Sequence, residues 1–283
     1  MRWFITYGDD KFRAAKDKII EEAISTGQFD NFLAYGKENL SSELLSSNLI
    51  KIPRGGGLWS WKPDVIWSTM QQAKEGDIIV YCDSGCTVQK SKEWARYWKL
   101  LETHDIIAQR ILKRTDKWTR KEIIDHFSEI EYRWTSCYQY QATVVILCNN
   151  EFTRKFISEW RSLILTYPKF LMDVTIEERP YQHKSLIENR HDQAIYSALI
   201  YNYLNEKAIK NKVHTQWEHI EDLDIFSKQA IRATRLRLGE EESTKKKLQR
   251  ICKRFIKDFI LCPFVYSPLQ WFHSRGKCGI TNI

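Results

Sequence analysis

Apolar runs of strand length alternate with helix-like patterns along residues 1–205. Runs that are apolar at nearly every position predict strands buried on both faces of a sheet, and they occur over residues 2–7, 78–82 and 142–148. Apolar positions spaced three and four residues apart, or a proline suited to a first helical turn, predict helices over residues 12–26, 63–74, 91–101, 119–127, 151–165 and 191–205. We therefore predict an α/β fold with a mixed or parallel sheet flanked by helices.

The C-terminal region has a different pattern, that of a basic amphipathic helix. Over residues 244–262, apolar residues fall on one helical face, and lysine and arginine fall largely on the other. Residues 226–283 hold 13 Lys and Arg against 4 Asp and Glu, so they account for the whole formal net charge of +8. We predict an α/β domain over 1–225 and a basic helical region over 226–283.

Composition narrows the class of protein. The mean hydropathy is −0.49, and no apolar run approaches the roughly 18 residues that a membrane-spanning helix needs. The apolar stretch Trp3–Ile5 is too short for a signal peptide, so we expect a cytoplasmic protein. Because residues 1–225 are nearly neutral and carry no known nucleic-acid-binding motif, we expect no nucleic acid partner.

The first candidate for chemistry is an aspartate that follows a predicted buried strand, in the sequence IIVYCDSGC. Ligands of open α/β sheets bind beyond the carboxyl ends of strands, where Asp83 could hold a divalent cation that bridges diphosphate oxygens. Gly85, two residues later, would let the backbone approach a ligand. The alternative is that Asp83 is only a turn or capping residue.

A second candidate is the glycine- and tryptophan-rich block RGGGLWSWKP, residues 54–63. Its glycines could approach a phosphate or a sugar, Trp59 and Trp61 could stack on a sugar face, and Lys62 could neutralise phosphate charge. The glycine spacing matches neither the Rossmann nor the P-loop pattern. The alternative is a flexible loop with Trp59 and Trp61 in the core.

The third candidate is the sequence RHDQ, which opens the predicted helix over 191–205. His191 could be a metal ligand or a donor to phosphate, and Asp192 could anchor a sugar hydroxyl. An aspartate near a helix N-terminus is also favoured simply by the helix dipole, so the alternative is a structural role.

The order of these blocks resembles a family of bacterial GT-A glycosyltransferases found in capsule and O-antigen gene clusters. The resemblance covers about residues 1–205 and rests on the motifs WxWKP, YxDxGC and RHDQ, here at 59–63, 81–86 and 190–193. Further matching segments are Thr6-Tyr7-Gly8, Phe29-Asp30, Asp116–Arg120 and Phe156–Trp160. The basic region lies outside the resemblance.

The resemblance implies a GT-A-like, Rossmann-type mixed sheet that binds a nucleotide-sugar. In such a domain Tyr7 and Gly8 lie near the base or ribose. Asp83 takes the place of the first carboxylate of a DxD motif, while the second position holds Gly85. We thus expect the activity to depend on Mn²⁺ or Mg²⁺, although the motif lacks its second carboxylate. His191 is our candidate for the missing ligand.

The predicted site combines cofactor-binding, metal-ligating and catalytic residues. Its cofactor-binding residues are Thr6, Tyr7, Gly8, Trp61, Lys62, Asp83, Ser84 and Gly85. Its predicted metal ligands are Asp83 and His191, and its predicted catalytic residues are His191, Asp192 and Gln193. Asp192 and Gln193 would lie at the donor sugar or at the reacting hydroxyl, with Asp192 as the base if the reaction inverts configuration.

The resemblance also implies an activity. We expect transfer of a hexose from a nucleotide-diphosphate sugar, by default a UDP-sugar, to a hydroxyl of a polysaccharide or lipid-linked oligosaccharide. The basic region would then rest on an anionic membrane, as a peripheral contact with the inner face of the plasma membrane; the alternative is that its apolar face packs on the α/β domain. The alternatives are a carbohydrate-binding module without turnover and a nucleotidyltransferase or phosphotransferase.

Overall fold

The structure is a computed structural model of the 283-residue chain. It describes residues 1–130, 133–206, 210–218, 220 and 229–234, together with the single positions 248, 249, 252 and 256. The predicted basic helix over 244–262 therefore lies outside the described residues, apart from those four positions. No helix within the described ranges is long and apolar enough to cross a membrane.

The described part of the chain contains nine strands and nine helices. The strands are β1 (Arg2–Tyr7), β2 (Asn31–Tyr35), β3 (Ile78–Cys82), β4 (Thr87–Val88), β5 (Ile106–Arg114), β6 (Tyr138–Tyr140), β7 (Val144–Cys148), β8 (Val213–Trp217) and β9 (Ile231–Arg232). The helices are α1 (Arg13–Thr26), α2 (Ser42–Ser46), α3 (Gly55–Leu58), α4 (Trp61–Gln72), α5 (Glu93–Leu100), α6 (Thr115–Trp118), α7 (Lys121–His126), α8 (Glu151–Thr166) and α9 (His191–Asn205). Short 3₁₀ turns link several of them.

Seven of the strands form one mixed sheet in the order β2-β1-β3-β7-β5-β6, with β8 paired to β5. β1 runs parallel to β2 and β3, and β5 runs parallel to β8. β7 is antiparallel to both β3 and β5, and β6 is antiparallel to β5. The predicted mixed sheet flanked by helices is therefore confirmed.

The central strands are apolar at consecutive positions because both faces of the sheet are covered. In β3, Ile79 and Tyr81 pack with α4, α8 and α9 on one face, and Val80 and Cys82 pack with α1 and α5 on the other. The same alternation holds in β1 and β7. A strand buried on both sides needs an apolar residue at every position, which is why these strands were predictable.

Local signals set the ends of the helices. α1 ends at Gly27, which adopts the left-handed conformation (φ 67°) usual for a residue that terminates a helix. α8 begins after Asn150, whose side chain accepts a hydrogen bond from the Thr153 backbone.

A segment beyond residue 225 packs against the body. β9 pairs with β4, and Ala230 and Ile231 are fully buried in the layer that contains α1 and α5. The Thr234 hydroxyl donates a hydrogen bond to the carbonyl oxygen of Gly85. The division of the chain at 225 stays a prediction, with residues 229–234 in contact with the predicted first region.

Candidate functional site

The three predicted motifs converge at one edge of the sheet. β1 and β3 are parallel neighbours, so Gly8 and Asp83, which follow them, lie at the same edge. α4 brings Lys62 to this edge, and α9 begins there with His191 and Asp192. Beyond the carboxyl ends of parallel strands is where ligands of such sheets bind.

These residues surround a cavity of about 580 Å³. The volume lies within the range of about 300–1,000 Å³ that is usual for small-molecule sites. Its lining is aromatic, glycine-rich and charged of both signs, and consists of Tyr7, Gly8, Asp9, Lys11, Phe12, Pro53, Arg54, Gly55, Gly56, Trp59, Trp61, Lys62, Asp83, Ser84, Gly85, Cys86, Thr143, Arg190, His191, Asp192, Gln193 and Ala233.

Lys62 lies between two aspartates at the floor of the cavity. Its Nζ is 2.9 Å from Asp192 Oδ2 and 3.3 Å from Asp83 Oδ1. It also donates a hydrogen bond of 3.0 Å to the carbonyl oxygen of Ala142. This carbonyl belongs to residues 141–143, which lie between the end of β6 and the start of β7. A side chain that is 3% exposed is thus surrounded by three oxygen acceptors.

The protonation of this group follows from its surroundings. Burial would lower the pKa of Lys62, but the carboxylates of Asp192 and Asp83 outweigh burial and raise that pKa above its ordinary value. Burial raises the pKa of Asp192, against the opposing effect of Lys62. Lys62 is therefore a permanent positive charge at neutral pH, held in a place that excludes water.

Asp83 is the more accessible of the two carboxylates, with 26% of its side chain exposed. The Tyr81 hydroxyl donates a hydrogen bond of 2.5 Å to Asp83 Oδ1, and the Asp83 backbone donates to the carbonyl oxygen of Thr143. Burial and the Asp83 charge raise the pKa of Tyr81 well above its ordinary value, so that this hydroxyl remains a donor. Oδ1 of Asp83 is thus held by both Lys62 and Tyr81.

The glycine-rich block forms a left-handed turn that borders the cavity. Gly55, Gly56 and Gly57 have φ values of 59°, 57° and 104°, and the next two residues, Leu58 and Trp59, also have positive φ. A Cβ on Gly55 would lie 2.6 Å from the Trp59 ring, so the close packing requires glycine. Non-glycine residues rarely adopt this conformation, and such strain is commonly found at functional sites.

An aromatic wall stands beside this turn. The rings of Tyr7 and Trp61 are stacked with centroids 4.0 Å apart, and Trp61 Nε1 donates a hydrogen bond to the Gly55 carbonyl oxygen. Burial and the nearby Asp9 raise the pKa of Tyr7 to about 12, so its hydroxyl is neutral at ordinary pH. Both rings line the cavity.

The remaining predicted binding residues differ in position. Gly8, Ser84 and Gly85 line the cavity. Thr6 is fully buried, does not line the cavity, and donates a hydrogen bond from its hydroxyl to the Cys82 carbonyl oxygen. Thr6 therefore fixes the end of β3, directly before Asp83.

His191 and Gln193 flank Asp192 at the start of α9. His191 has φ 50°, and its Nδ1 donates a hydrogen bond of 2.6 Å to the Leu171 carbonyl oxygen. Nε2 is buried and has no hydrogen-bond partner among the described residues. Gln193 donates from its side-chain amide to Gln139 Oε1 at 2.7 Å.

The fit to a metal ion can be tested on these groups. The Nδ1 of His191 donates to a carbonyl, as in metal-ligating histidines, while Nε2 makes no hydrogen bond and lies 3.8 Å from Asp173 Oδ1. The Asp83 carboxylate can supply a second ligand. No group of three or more His, Cys, Asp and Glu side chains within the described ranges could hold a metal ion. Asp83 and His191 are thus two candidate ligands, and an ion bound by them would take its other ligands from phosphate oxygens or water, as Mg²⁺ commonly does.

Three groups at the site were not predicted. Tyr81 was treated as an ordinary strand residue, although its alternation with Val80 places it on the face that carries Lys62. The Ala142 carbonyl has no sequence signal, since it depends on a break between two strands. Arg190 belongs to the RHDQ motif, and its charge was the available signal.

The chain is similar in structure to several solved glycosyltransferases. No protein-family model and no curated protein matches the chain. A structure of the galactosyltransferase LgtC with donor and acceptor sugar analogues has a TM-score of 0.41 at 14% identity, over 76% of this chain and 73% of that chain. Mouse xyloside xylosyltransferase 1 has a TM-score of 0.39 at 8% identity, over 78% and 87%. The glycosyltransferase GlyE of Streptococcus pneumoniae has a TM-score of 0.39 at 14% identity, over 93% of this chain and 52% of that chain. Such low values assign neither a substrate nor a residue role to this chain.

Proposed function

We propose that the chain is a glycosyltransferase that moves a sugar from a nucleotide-diphosphate donor to an acceptor hydroxyl. The observation that carries this proposal is the buried Lys62 ammonium between Asp83 and Asp192, at the floor of a cavity at the carboxyl edge of the sheet. A fixed cation in a water-excluded place stabilises negative charge that develops during a reaction. The departing nucleoside diphosphate develops such a charge.

The cavity wall supports a nucleotide-sugar as the donor. The stacked Tyr7 and Trp61 offer an aromatic surface, and Gly8 and Gly56 let the ligand approach the backbone closely. We place the base or ribose beside Tyr7 and Gly8, and the diphosphate towards Lys62. A UDP-hexose is the default donor within this proposal.

Catalysis by these residues follows from their charges. The acceptor oxygen forms a bond to the anomeric carbon as the bond from that carbon to the diphosphate oxygen breaks. Lys62 stabilises the charge on the leaving diphosphate. If configuration inverts, Asp192 accepts the proton of the acceptor hydroxyl; if it is retained, Asp192 and Gln193 position the donor sugar. When a divalent ion is bound, Asp83 and His191 would hold it, and it would add positive charge beside the diphosphate.

The acceptor and the cellular location belong to the same proposal. We propose a polysaccharide or lipid-linked oligosaccharide acceptor, and a peripheral position of this protein at the inner face of the plasma membrane. The support is the basic pattern of residues 226–283 and the resemblance to enzymes of capsule and O-antigen clusters.

The test is a thermal-shift panel of UDP, GDP, CMP, dTDP and ADP, each with and without Mn²⁺. A ligand that binds only the native state raises the melting temperature, so we expect one nucleoside diphosphate to do so, and Mn²⁺ to increase its effect. Asp83→Ala should lose this increase and nearly all sugar transfer while remaining folded. Asp125→Ala, which removes an exposed carboxylate outside the cavity, is the matched control.

Each outcome separates the candidate functions. A shift with a nucleotide, together with release of the nucleoside diphosphate from its sugar, supports the transferase. Release of pyrophosphate or phosphate would instead indicate a nucleotidyltransferase or phosphotransferase. No shift with any nucleotide in a folded sample would leave a carbohydrate-binding module.

A further inference from the structure

A short segment beyond residue 225 packs against the turn that carries Asp83. We call residues 229–234 the strap and residues 83–86 the Asp83 turn. β4 follows this turn directly, and β9, within the strap, pairs with β4 in antiparallel fashion. The two segments are far apart in the sequence, so only tertiary packing brings the strap to this edge of the sheet.

The strap is fixed to the body by hydrogen bonds and by burial. The Gln89 backbone N–H donates to the Ala230 carbonyl oxygen at 3.0 Å, and the Gln89 side-chain amide donates to the Gln229 carbonyl oxygen at 2.7 Å. The Ala230 backbone N–H donates to Glu93 Oε2 at 2.8 Å. Ala230 and Ile231 are fully buried, and burial of their apolar surface favours the docked arrangement. The strap therefore has a defined position against β4 and α5.

One side chain of the strap reaches the Asp83 turn directly. The Thr234 hydroxyl donates a hydrogen bond of 3.0 Å to the Gly85 carbonyl oxygen. Within the turn, the Cys86 backbone N–H donates to the Asp83 carbonyl oxygen, also at 3.0 Å. Gly85 has no side chain that could anchor it by packing, so the bond from Thr234 restrains a residue with unusual backbone freedom. The turn is thus held both from within and from the strap.

The strap also supplies part of the cavity wall. Ala233 lines the cavity, as does every residue of the Asp83 turn, and it is 6% exposed. Its backbone N–H donates to the Ile220 carbonyl oxygen at 2.8 Å, which fixes its position. Residues 1–205, which carry the three motifs, therefore do not complete the cavity by themselves.

We propose that the strap completes the donor site: Thr234 holds the Asp83 turn in position, and Ala233 closes the cavity wall beside it. Groups of an active site must stay within about 0.5 Å of their productive positions, and a movement of Gly85 would shift Asp83, two residues earlier. Thr234 is thus a positioning residue. Its hold on the turn rests on the geometry, whereas the effect on nucleotide binding rests on the proposed transferase function.

Hydrogen exchange of the full chain tests whether Thr234 holds the turn. Thr234→Val replaces the hydroxyl by a methyl group, so we expect the Cys86 amide to exchange about fivefold faster, in line with the loss of one hydrogen bond. Thr234→Ser keeps the hydroxyl and should retain the wild-type rate. Thr103→Val is the matched control, because the Thr103 hydroxyl also donates to a backbone carbonyl oxygen but lies outside the cavity. Mass spectrometry of overlapping peptides that contain the Asp83 turn measures the rates.

Calorimetry on the same variants tests the effect on the donor. The probe is UDP with Mn²⁺, replaced by another diphosphate of the thermal-shift panel if that one binds more tightly. We expect Thr234→Val to raise its dissociation constant about fivefold, and Thr234→Ser and Thr103→Val to match the wild type. A merely structural role of Thr234 would lower the melting temperature and leave the dissociation constant of the folded protein unchanged.

A second variant tests the cavity wall and keeps the test decisive if Thr234→Val does not fold. Ala233→Val enlarges a side chain of the wall and leaves the Thr234 hydroxyl in place. We expect this variant to raise the dissociation constant of the nucleotide without faster exchange at Cys86. An unchanged Cys86 rate in folded Thr234→Val would overturn the hold of the strap on the turn.

The outcomes separate this proposal from the proposed function. Equal nucleotide binding by the wild type, Thr234→Val and Ala233→Val would refute the role of the strap and leave the transferase. A wild type that binds no nucleotide, together with faster exchange at Cys86 in Thr234→Val, would refute the transferase and leave the hold of the strap on the turn.

Discussion

At the scale of single residues, the site depends on a buried charge that is compensated only by its neighbours. Removing one member of a buried ion pair leaves the other charge uncompensated, which typically costs about 3–5 kcal/mol. Lys62→Met should therefore lower the free energy of unfolding by about that amount, in addition to abolishing transfer. Urea denaturation of the purified chain measures the change.

A double variant separates the charge effect from packing. The double variant Lys62→Met, Asp192→Asn carries a neutral asparagine in place of the buried carboxylate. We therefore expect it to regain part of the free energy of unfolding that Lys62→Met alone loses. The contacts of 3.3 and 2.9 Å indicate that Lys62 compensates the charges of Asp83 and Asp192. An unchanged free energy of unfolding in Lys62→Met would contradict this.

The glycine turn gives a second prediction at this scale. Gly57 has φ 104°, and a Cβ there would meet Ile50 at 3.1 Å. Gly57→Ala should therefore lower the free energy of unfolding by roughly 1–3 kcal/mol, because it adds both backbone strain and a contact. Gly27→Ala is the matched control, since φ is 67° but no atom lies within 4 Å of the added Cβ. A smaller loss at Gly57 than at Gly27, in thermal or urea unfolding, would contradict the role of the close contact.

The sequence located Asp83, Lys62 and Asp192 through their motifs, each on its own element. It could not show that Lys62 lies between the two aspartates, because α4, β3 and α9 meet only through tertiary packing. It also could not identify the Ala142 carbonyl as an acceptor, since every residue except proline has the same backbone groups.

At the scale of elements, the strands predicted best are those buried on both faces. β1 and β3 have the predicted bounds, whereas β5 was not predicted. Its sequence, IIAQRILKR, becomes polar and basic towards its end, where its residues are only partly buried. A strand that leaves the core has no continuous apolar signal.

The segment before α9 is held in place by Arg120. Its guanidinium is fully buried, donates to the carbonyl oxygens of Lys169 and Met172, and pairs with Glu122 and Glu178. Asn189 donates to the Met172 carbonyl oxygen as well. These bonds fix the chain that leads into Arg190 and His191, so the geometry of the site depends on this cluster.

The same cluster predicts a response to acid. Hydrogen bonds from Arg120 hold the pKa of Glu122 well below its ordinary value of 4.5, against the opposing effect of burial. A carboxyl with a lowered pKa in the folded state contributes stability above its ordinary pKa and loses it as pH falls below that value. Between pH 7 and about pH 3, the melting temperature of the wild type should therefore fall further than that of Glu122→Gln. Glu129→Gln, at an exposed glutamate, should behave as wild type; equal losses in all three would contradict the prediction.

At the scale of the whole molecule, charge is concentrated at one end of the sequence. The basic excess of residues 226–283 predicts binding to anionic membranes, at about 1 kcal/mol for each lysine or arginine near the surface. The full chain should sediment with phosphatidylserine-containing liposomes at low salt and lose binding as salt rises. A chain that lacks residues 244–283 should bind much less.

Two controls test whether binding needs anionic lipid and whether the shortened chain remains folded. Neutral phosphatidylcholine liposomes test whether binding needs anionic lipid. The shortened chain keeps residues 229–234, which pack against the body, so its melting temperature should match that of the full chain. Undiminished liposome binding after the deletion would assign the membrane contact to another surface.

The pairing of β5 with β8 has a consequence for synthesis of the chain. Ile106 is buried in the sheet, and one of its two neighbouring strands begins at Val213. At about 5–20 residues per second, roughly 5–20 seconds separate the translation of these residues. During that interval a ribosome-bound chain exposes an apolar strand edge that other chains can join. Chaperone supply and translation speed should therefore limit the yield of folded protein.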